Sequence, residues 1–390
     1  MSEGRVTVTK KGETRIQRGH PWIFRSDIER REGAEAGSVV RVLSPRNRPL
    51  GFAFFSSRSE ITLRMIERGS QLSPGFLRQR LQAAIEWRRT IAPDAEAIRL
   101  VHGEGDGIPS LVVDKYGEYL VVQTLAQSTD ALKPQIVEAL TDLLRPKGIL
   151  ERNDPRVREL EGLPRVVSVL AGEIPETVVV QEGDLSFEAD LRHGQKTGLF
   201  LDQRENRRRA EARAKGRTGL DLFCYQGEWA MHLARGGAEG VLAVDSSEPA
   251  LALARANVSR NGLSADVEFL RMDAFDALRR LEREGRRFGI VVLDPPAMIK
   301  SRRAIAAGAR AYREHNRLAM SLLEEDGILV SCSCSHHLDD DMFRQVLLEA
   351  ARSAKRPMRV LDWSGEAPDH PRLLAVPETH YLKCAVLQAL

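Results

Sequence analysis

The apolar positions change their rhythm along the chain. In the first seventy residues they form short runs, "RVTVTK", "SVVRVLSP", "PLGFAFFS" and "EITLRMIE", separated by Gly, Pro and Ser clusters. Such runs predict a small β-rich barrel or sheet. The stretch "SPGFLRQRLQAAIEWRRTI" then reads as a helix joining two domains, with Ser73 as N-cap and Pro74 at the first helical position. From Ile98 to about Asp190 the pattern is strand, turn, strand ("RLVHGEGDGIPSLVVDKYGEYLVVQTL"), one helix ("ALKPQIVEALTDLL"), and further strands ("GILERND", "TVVVQEGDLSFEADL"), an α+β unit. Beyond "RHGQKTGLFLDQRENRRRAEARA" strands and helices alternate, the strands being "TGLDLFC", "GVLAVD", "VEFLRMD", "GIVVLDPP", "GILVSCSCS", "RVLDWS" and "YLKCAVLQA". Apolar strands separated by helices such as "EPALALARANVSRNG" predict an α/β fold whose parallel sheet is covered on both faces. The expected domains are residues 1–72, 73–190 and 191–390.

Composition narrows the class. With 42% hydrophobic, 29% charged and 5% aromatic residues over 390 positions, the chain has the apolar content of a globular protein rather than a disordered one. No run of eighteen apolar residues occurs, and "MSEGRVTVTKKGETRIQRGHPW" has no apolar signal core, so no membrane partner is expected and the cytoplasm is the default location. Cys224, Cys332, Cys334 and Cys384 form no disulfide framework, and a single C-x-C lacks zinc spacing, so no metal is expected. Residues 1–70 hold fourteen Lys/Arg against eight Asp/Glu, although the whole chain carries only +3. A basic module on a near-neutral body suits a polyanion such as RNA or DNA, or is simply the surface of an Arg-rich protein.

Open parallel sheets bind ligands beyond the carboxyl ends of their strands. Four of the candidate strands end on or near an acidic residue. Asp221 lies in a strand that runs into a turn at Gly227 and then a helix, where backbone N–H groups could face a ligand. Asp245 ends the next strand and suits ribose hydroxyls, or caps the following helix. Asp273 could accept from an exocyclic amine such as adenine N6, or cap a helix. The G-x-G-x-x-G of dinucleotide dehydrogenases is missing. The serial acidic strand ends are instead similar to those of class I S-adenosylmethionine-dependent methyltransferases.

The fourth strand ends in Asp294-Pro295-Pro296, where two prolines stiffen the backbone and remove two donors, leaving a carboxylate and carbonyls to face a substrate. This D-P-P resembles the substrate-side motif of nucleic-acid methyltransferases. In the next strand, "GILVSCSCS", alternation puts Cys332 and Cys334 on one face and the serines on the other. Cys334 is nearer the carboxyl end and is the better nucleophile candidate, whereas Cys332 reads as a small buried hydrophobe. Cytosine C5 needs such a nucleophile, because it becomes reactive only after a thiolate has added to C6. Asp294 could hydrogen-bond the N3/N4 edge, since neighbouring strands lie about 4.8 Å apart. Both cysteines could also be core residues, and His336 and His337 read as the start of a helix.

"RGHPWIFRSDI", "GEGDGIPSLVVDKYG", "KTGLFLDQRENR", "DLFCYQGEWA", "LDPPAMIKS" and "SCSCS" together resemble the ribosomal RNA large subunit methyltransferase I family over nearly the whole chain. That resemblance implies an N-terminal PUA-like RNA-binding domain and a C-terminal Rossmann-like methyltransferase sheet using S-adenosyl-L-methionine. It implies 5-methylcytosine formation in large-subunit (23S) ribosomal RNA through Cys334, and a homodimer. By the same resemblance Gln203 and Arg204 face the methionine end of the cofactor, joined by Asp221, Phe223, Gly227, Asp245, Asp273 and Asp294. The RNA contacts it implies are Pro295, Pro296, Lys300, His20 and Trp22. Two departures stand out: Glu228 replaces a glycine that commonly follows Gly227, and Ala297-Met298 replace a charged-then-aromatic pair. The rival functions are a purine N-methyltransferase that needs no thiol, and an RNA-binding assembly factor without turnover.

Overall fold

A computed structural model describes residues 4–263 and 266–390; the first three residues of the N-terminal stretch read above lie outside them. The chain divides into two compact units. The first takes the residues through Gln181 together with Ala189–Leu201 and Pro368–Thr379; the second takes Glu182–Glu188, Asp202–Ala367 and His380–Leu390.

The first unit holds two sheets. Strands Trp22–Phe24, Ile61–Arg68, Pro49–Phe55, Val39–Leu43, Arg5–Val8 and Ile28–Glu32 form a six-stranded sheet in that order. A helix over Lys10–Gln17, hidden in a charged stretch, accompanies them and is capped by the Thr9 side chain. The second sheet has five strands, Val166–Gly172, Gly148–Asn153, Tyr119–Thr124, Leu111–Tyr116 and Ala97–His102. Helix Phe76–Ile91 starts later than the sequence suggests: its N-cap is Gly75 at φ 68°, not Ser73. A residue with positive φ is cheapest as glycine. The helix belongs to the first unit.

The second unit is built on seven strands: β1 (Thr218–Leu222), β2 (Gly240–Asp245), β3 (Val267–Arg271), β4 (Phe288–Leu293), β5 (Leu323–Ser333), β6 (Met358–Ser364) and β7 (Lys383–Ala389). Their order is β3-β2-β1-β4-β5-β7-β6. The pairs from β3 through β5 are parallel, whereas β7 runs antiparallel to both β5 and β6. The helices are α1 (Arg204–Glu211), α2 (Glu228–Arg235), α3 (Glu248–Arg260), α4 (Ala274–Arg283), α5 (Ile305–Ser321) and α6 (Asp340–Ala354). The parallel strands are apolar because both their faces are covered: every residue of β4 is buried. Side chains such as Val291, Leu293, Leu329, Phe343 and Leu387 share one core, each buried aliphatic or aromatic contributing about 1.5–3 kcal/mol. The order reverses between β1 and β4, the switch point where such sheets leave a crevice. A groove of about 690 Å³ between α6 and β6, lined by Leu347, Leu348, Val360 and Trp363, lies away from those strand ends. Among the described residues no helix is long and apolar enough to cross a membrane.

Candidate active site

β1 leads into a loop that turns sharply. Phe223, Tyr225 and Gly227 all adopt positive φ (63°, 47° and 79°), and α2 begins directly after Gly227. A Cβ on Gly227 would lie 3.3 Å from the Ala254 Cβ, so the glycine also lets the loop approach α3. The carboxylate of Asp245 ties this loop down: one oxygen accepts from Tyr225 N at 3.0 Å and the other from Ser247 N at 2.8 Å. Capping of α3 falls to Ser247, not Asp245. Asp273 does cap α4, accepting from Phe275 N and Asp276 N, and it is exposed. The Phe223 ring stands 6.3 Å from His315 of α5, which lies 4.8 Å from Phe275, an aromatic layer beside the loop.

Asp221 is fully buried. One oxygen accepts from Ala230 N at 3.0 Å, and the other has no hydrogen-bond partner. Burial drives its carboxyl pKa well above the usual range, and the nearby carboxylates of Asp294, Asp245 and Glu228 push the same way. An unsatisfied buried oxygen beside the carboxylates of Asp294 and Asp245 suits a cationic ligand carrying its own donors. S-adenosylmethionine, with a sulfonium and an ammonium, meets that description.

Glu228 does not disturb the loop. Its side chain is buried and accepts from Arg207 at 2.5 Å, while Arg207 also donates to Glu182 at 2.6 Å. His232 stands between Glu182 (3.0 Å) and Glu211 (2.5 Å). The carboxylate is thus consumed by α1 and the 182–188 segment, within the second unit.

On the other side of the switch point, Asp294 follows β4. Gln203 Nε2 and Trp229 Nε1 both donate to its Oδ2, at 2.9 and 3.1 Å. Gln203 is held in turn by Asn206, which donates to its amide oxygen at 2.7 Å and to Gly365 O at 3.0 Å. Arg204 is buried, its Nε 3.3 Å from Glu205. The parallel register Leu293↔Ser331 sets β5 beside β4, so the chain beyond both strands meets. There Cys334 Sγ approaches the Pro295 carbonyl at 3.9 Å. Cys334 is half-buried, whereas Cys224, Cys332 and Cys384 are buried. Burial pushes the Cys224 and Cys332 thiols far up, and Cys332 faces Cys384 across the β5–β7 pair. The serine face of β5 is occupied too: Ser331 donates to Asn316 at 2.6 Å, and Ser335 Oγ meets Tyr312 Oη at 3.0 Å and Ile299 N at 3.2 Å.

The structure therefore gathers Gln203, Asp221, Gly227, Asp245, Asp294, Pro295 and Cys334 around the strand ends of the second unit. Pro296 and Lys300 are exposed in the loop after β4. His20 and Trp22 belong to the first unit, where carboxylates already hold both: His20 Nε2 is 3.2 Å from Glu378, and Trp22 Nε1 donates to Glu104 at 2.8 Å. Helix α6 begins at Asp340 with Asp339 as cap, so His336 and His337 lie in the turn before it rather than in its first turn. Sequence reading passed over Trp229 and Asn206, whose only signal is their place two residues after Gly227 and three after Gln203.

Residues 163–378 match the S-adenosylmethionine-dependent methyltransferase family and residues 6–68 a PUA-like domain. The chain is thus an S-adenosylmethionine-dependent methyltransferase carrying a PUA-like domain. It belongs to the ribosomal RNA large subunit methyltransferase I family. It is 35% identical to the member from Photobacterium profundum over 97% of each chain, and 35% identical to that from Pseudoalteromonas atlantica over 99% of each. The fold agrees with a crystal structure of a methyltransferase complexed with SAH (TM-score 0.86, 23% identity, 98% of this chain and 99% of that one). A protein from Streptococcus mutans provisionally described as a SAM-dependent methyltransferase gives 0.84 at the same identity and coverage.

Proposed function

We propose that this chain methylates large-subunit ribosomal RNA, forming 5-methylcytosine with Cys334 as nucleophile. The observation that carries the proposal is the half-buried Cys334 thiol against the carbonyl of Pro295, beyond adjacent strands, with Asp294 one residue away. The named relatives support the RNA substrate, and the basic first seventy residues with their PUA-like match support an RNA grip there.

S-adenosylmethionine supplies a methyl group on a sulfonium. Gln203, Arg204, Asp221, Phe223, Gly227, Asp245, Asp273 and Asp294 are the residues we assign to holding it, with Asp221 and its acidic neighbours matching its charge. Cys334 forms a bond to cytosine C6, which turns C5 into an enamine carbon able to accept the methyl. A base then takes the C5 proton, the C5–C6 double bond returns and the thiolate leaves. Asp294, held by Gln203 and Trp229, orients the base through its N3/N4 edge. Pro296 and Lys300 face the nucleotide, Pro295, itself buried, lines the site through its carbonyl, and His20 and Trp22 contact RNA through ring surfaces, their nitrogens being engaged. The target base must leave any duplex to reach the thiol, at an energetic cost of a few kcal/mol.

The test uses labelled S-adenosylmethionine and undermodified large-subunit RNA with wild-type, Cys332→Ala and Cys334→Ala proteins, followed by nucleoside analysis. Labelled 5-methylcytosine should vanish in Cys334→Ala and persist in Cys332→Ala. Label on a purine, or label indifferent to Cys334, would overturn the thiol mechanism.

A further inference from the structure

The strand that closes over β5 brings a cation to the backbone next to the thiol. Lys383 opens β7, its backbone opposite Ser333, and its side chain is 1% exposed. Nζ donates to two carbonyls, Ser335 O and Tyr381 O, each at 2.8 Å. Ser335 directly follows Cys334, so the ammonium is fixed to the backbone within one residue of the thiol. Carbonyls orient an ammonium without neutralising it. Among the described residues no carboxylate bonds to Nζ.

The acidic groups nearby are committed elsewhere. Glu366, after β6, takes His380 Nδ1 at 3.0 Å and Leu382 N at 2.7 Å and also accepts from Tyr381 N. Asp340 of α6 takes His380 Nε2 at 2.8 Å and the Trp363 indole at 2.7 Å. Asp339 caps the same helix. Burial lowers the Lys383 pKa, and Asp340, Glu366, Cys334 and Asp339 oppose that. The other titratable groups at this corner are Asp294 beyond β4, one residue before the Pro295 carbonyl that the thiol meets, Tyr312 of α5, whose hydroxyl bonds Ser335, and His336 and His337 of the intervening turn. Of the arginines of α5, Arg313 pairs with Glu349 and Arg317 with Glu282 and Glu314.

We propose that Lys383 is a positioning residue that stabilises the thiolate form of Cys334. This deepens the nucleophile assignment and rests on it. The thiolate, not the thiol, attacks carbon, and an adjacent lysine raises its share at neutral pH.

The test is the pH dependence of iodoacetamide alkylation at Cys334, read peptide by peptide by mass spectrometry in the full chain. Wild type should show an apparent thiol pKa about one unit below the ordinary value near 8.5. Lys383→Gln keeps hydrogen-bond donors for the two carbonyls but removes the charge, and should raise that pKa by about one unit. Lys383→Arg keeps the charge and should restore most of the shift. Methylation by Lys383→Gln should fall about tenfold at pH 7 and recover by pH 9, with KM for the cofactor unchanged. A wild-type thiol that titrates at or above 8.5 overturns the proposal without any variant, as does an unaltered profile in Lys383→Gln. Alkylation reports on the thiol whether or not it attacks RNA, so failure here is distinct from failure of the nucleophile assignment, which Cys334→Ala decides.

Discussion

Two clusters of buried and half-buried carboxylates flank α2, and they are built on opposite principles. Behind the helix, Glu182, Glu211 and Glu228 are each matched by Arg207, Arg235 or His232. At the strand ends, Asp221 is buried with one oxygen unpaired and the carboxylates of Asp294 and Asp245 nearby. Burial raises the pKa of both Glu182 and Glu211, but Arg207 and His232 outweigh it for the first and His232 and Arg235 for the second, holding Glu211 at about 2. Nothing outweighs it for Asp221. A charge that the fold neutralises itself belongs to the scaffold, whereas a charge left without a counter-ion marks where one must come from outside.

The sharpest way to break this contrast is to remove one partner from each side. Arg207→Met leaves Glu182 and Glu228 buried without their cation and should cost about 3–5 kcal/mol in chemical denaturation. The remaining pairs set an acid limb. Because the folded pKa values of Glu182 and Glu211 lie below their unfolded values, their stabilisation is complete above about pH 4.5 and is lost as the pH falls toward 2. Wild type should show this loss in full, and Arg207→Met mainly the part that Glu211 contributes through His232 and Arg235.

Asp221→Asn should do the reverse. Its folded pKa is raised, so its penalty is absent at low pH and grows as pH rises through that value. The variant should be as stable as wild type at pH 7 or more so, yet bind S-adenosylmethionine at least tenfold more weakly, about 1.4 kcal/mol. Calorimetry in buffers of different ionisation enthalpy should show proton release on binding by wild type and not by Asp221→Asn. Equal affinities would remove Asp221 from the cofactor site.

The smallest effect is expected at Asp273. Asp273→Ser keeps the cap on α4 and removes the carboxylate, so stability should change by a few tenths of a kcal/mol. Cofactor affinity should drop only a few-fold; no change would leave Asp273 a cap alone.

What the sequence made legible follows from how locally each feature is encoded. The strands of the second unit are apolar runs that need no partner to be recognised, and D-P-P and S-C-S stand at their ends. Helix Lys10–Gln17 was missed because "KKGETRIQ" has one aliphatic residue and is fixed by Thr9 and by Glu13 pairing with Lys10 and Arg48. The start of the next helix was misplaced because Ser73 and Pro74 imitate a cap that Gly75 supplies by its backbone. Glu228 looked like a fault in the cofactor loop because its partner, Arg207, lies twenty-one residues earlier in a stretch that reads as a solvated basic helix. Lys383 gave no signal at all, since its carbonyl seats come from residues 335 and 381.

The order of strands carries one more consequence, for the sequence of events in folding. β7 follows β5 and β6 in the chain but lies between them, and its pairing Ile328↔Gln388 closes a loop of sixty residues. Such non-local closures are entropically costly and slow. Until β7 inserts, β5, which leads to Cys334, is an open edge of the kind that recruits wrong partners. A chain arrested short of Lys383 would already hold its thiol, but without the cation beside it or the strand that shields it.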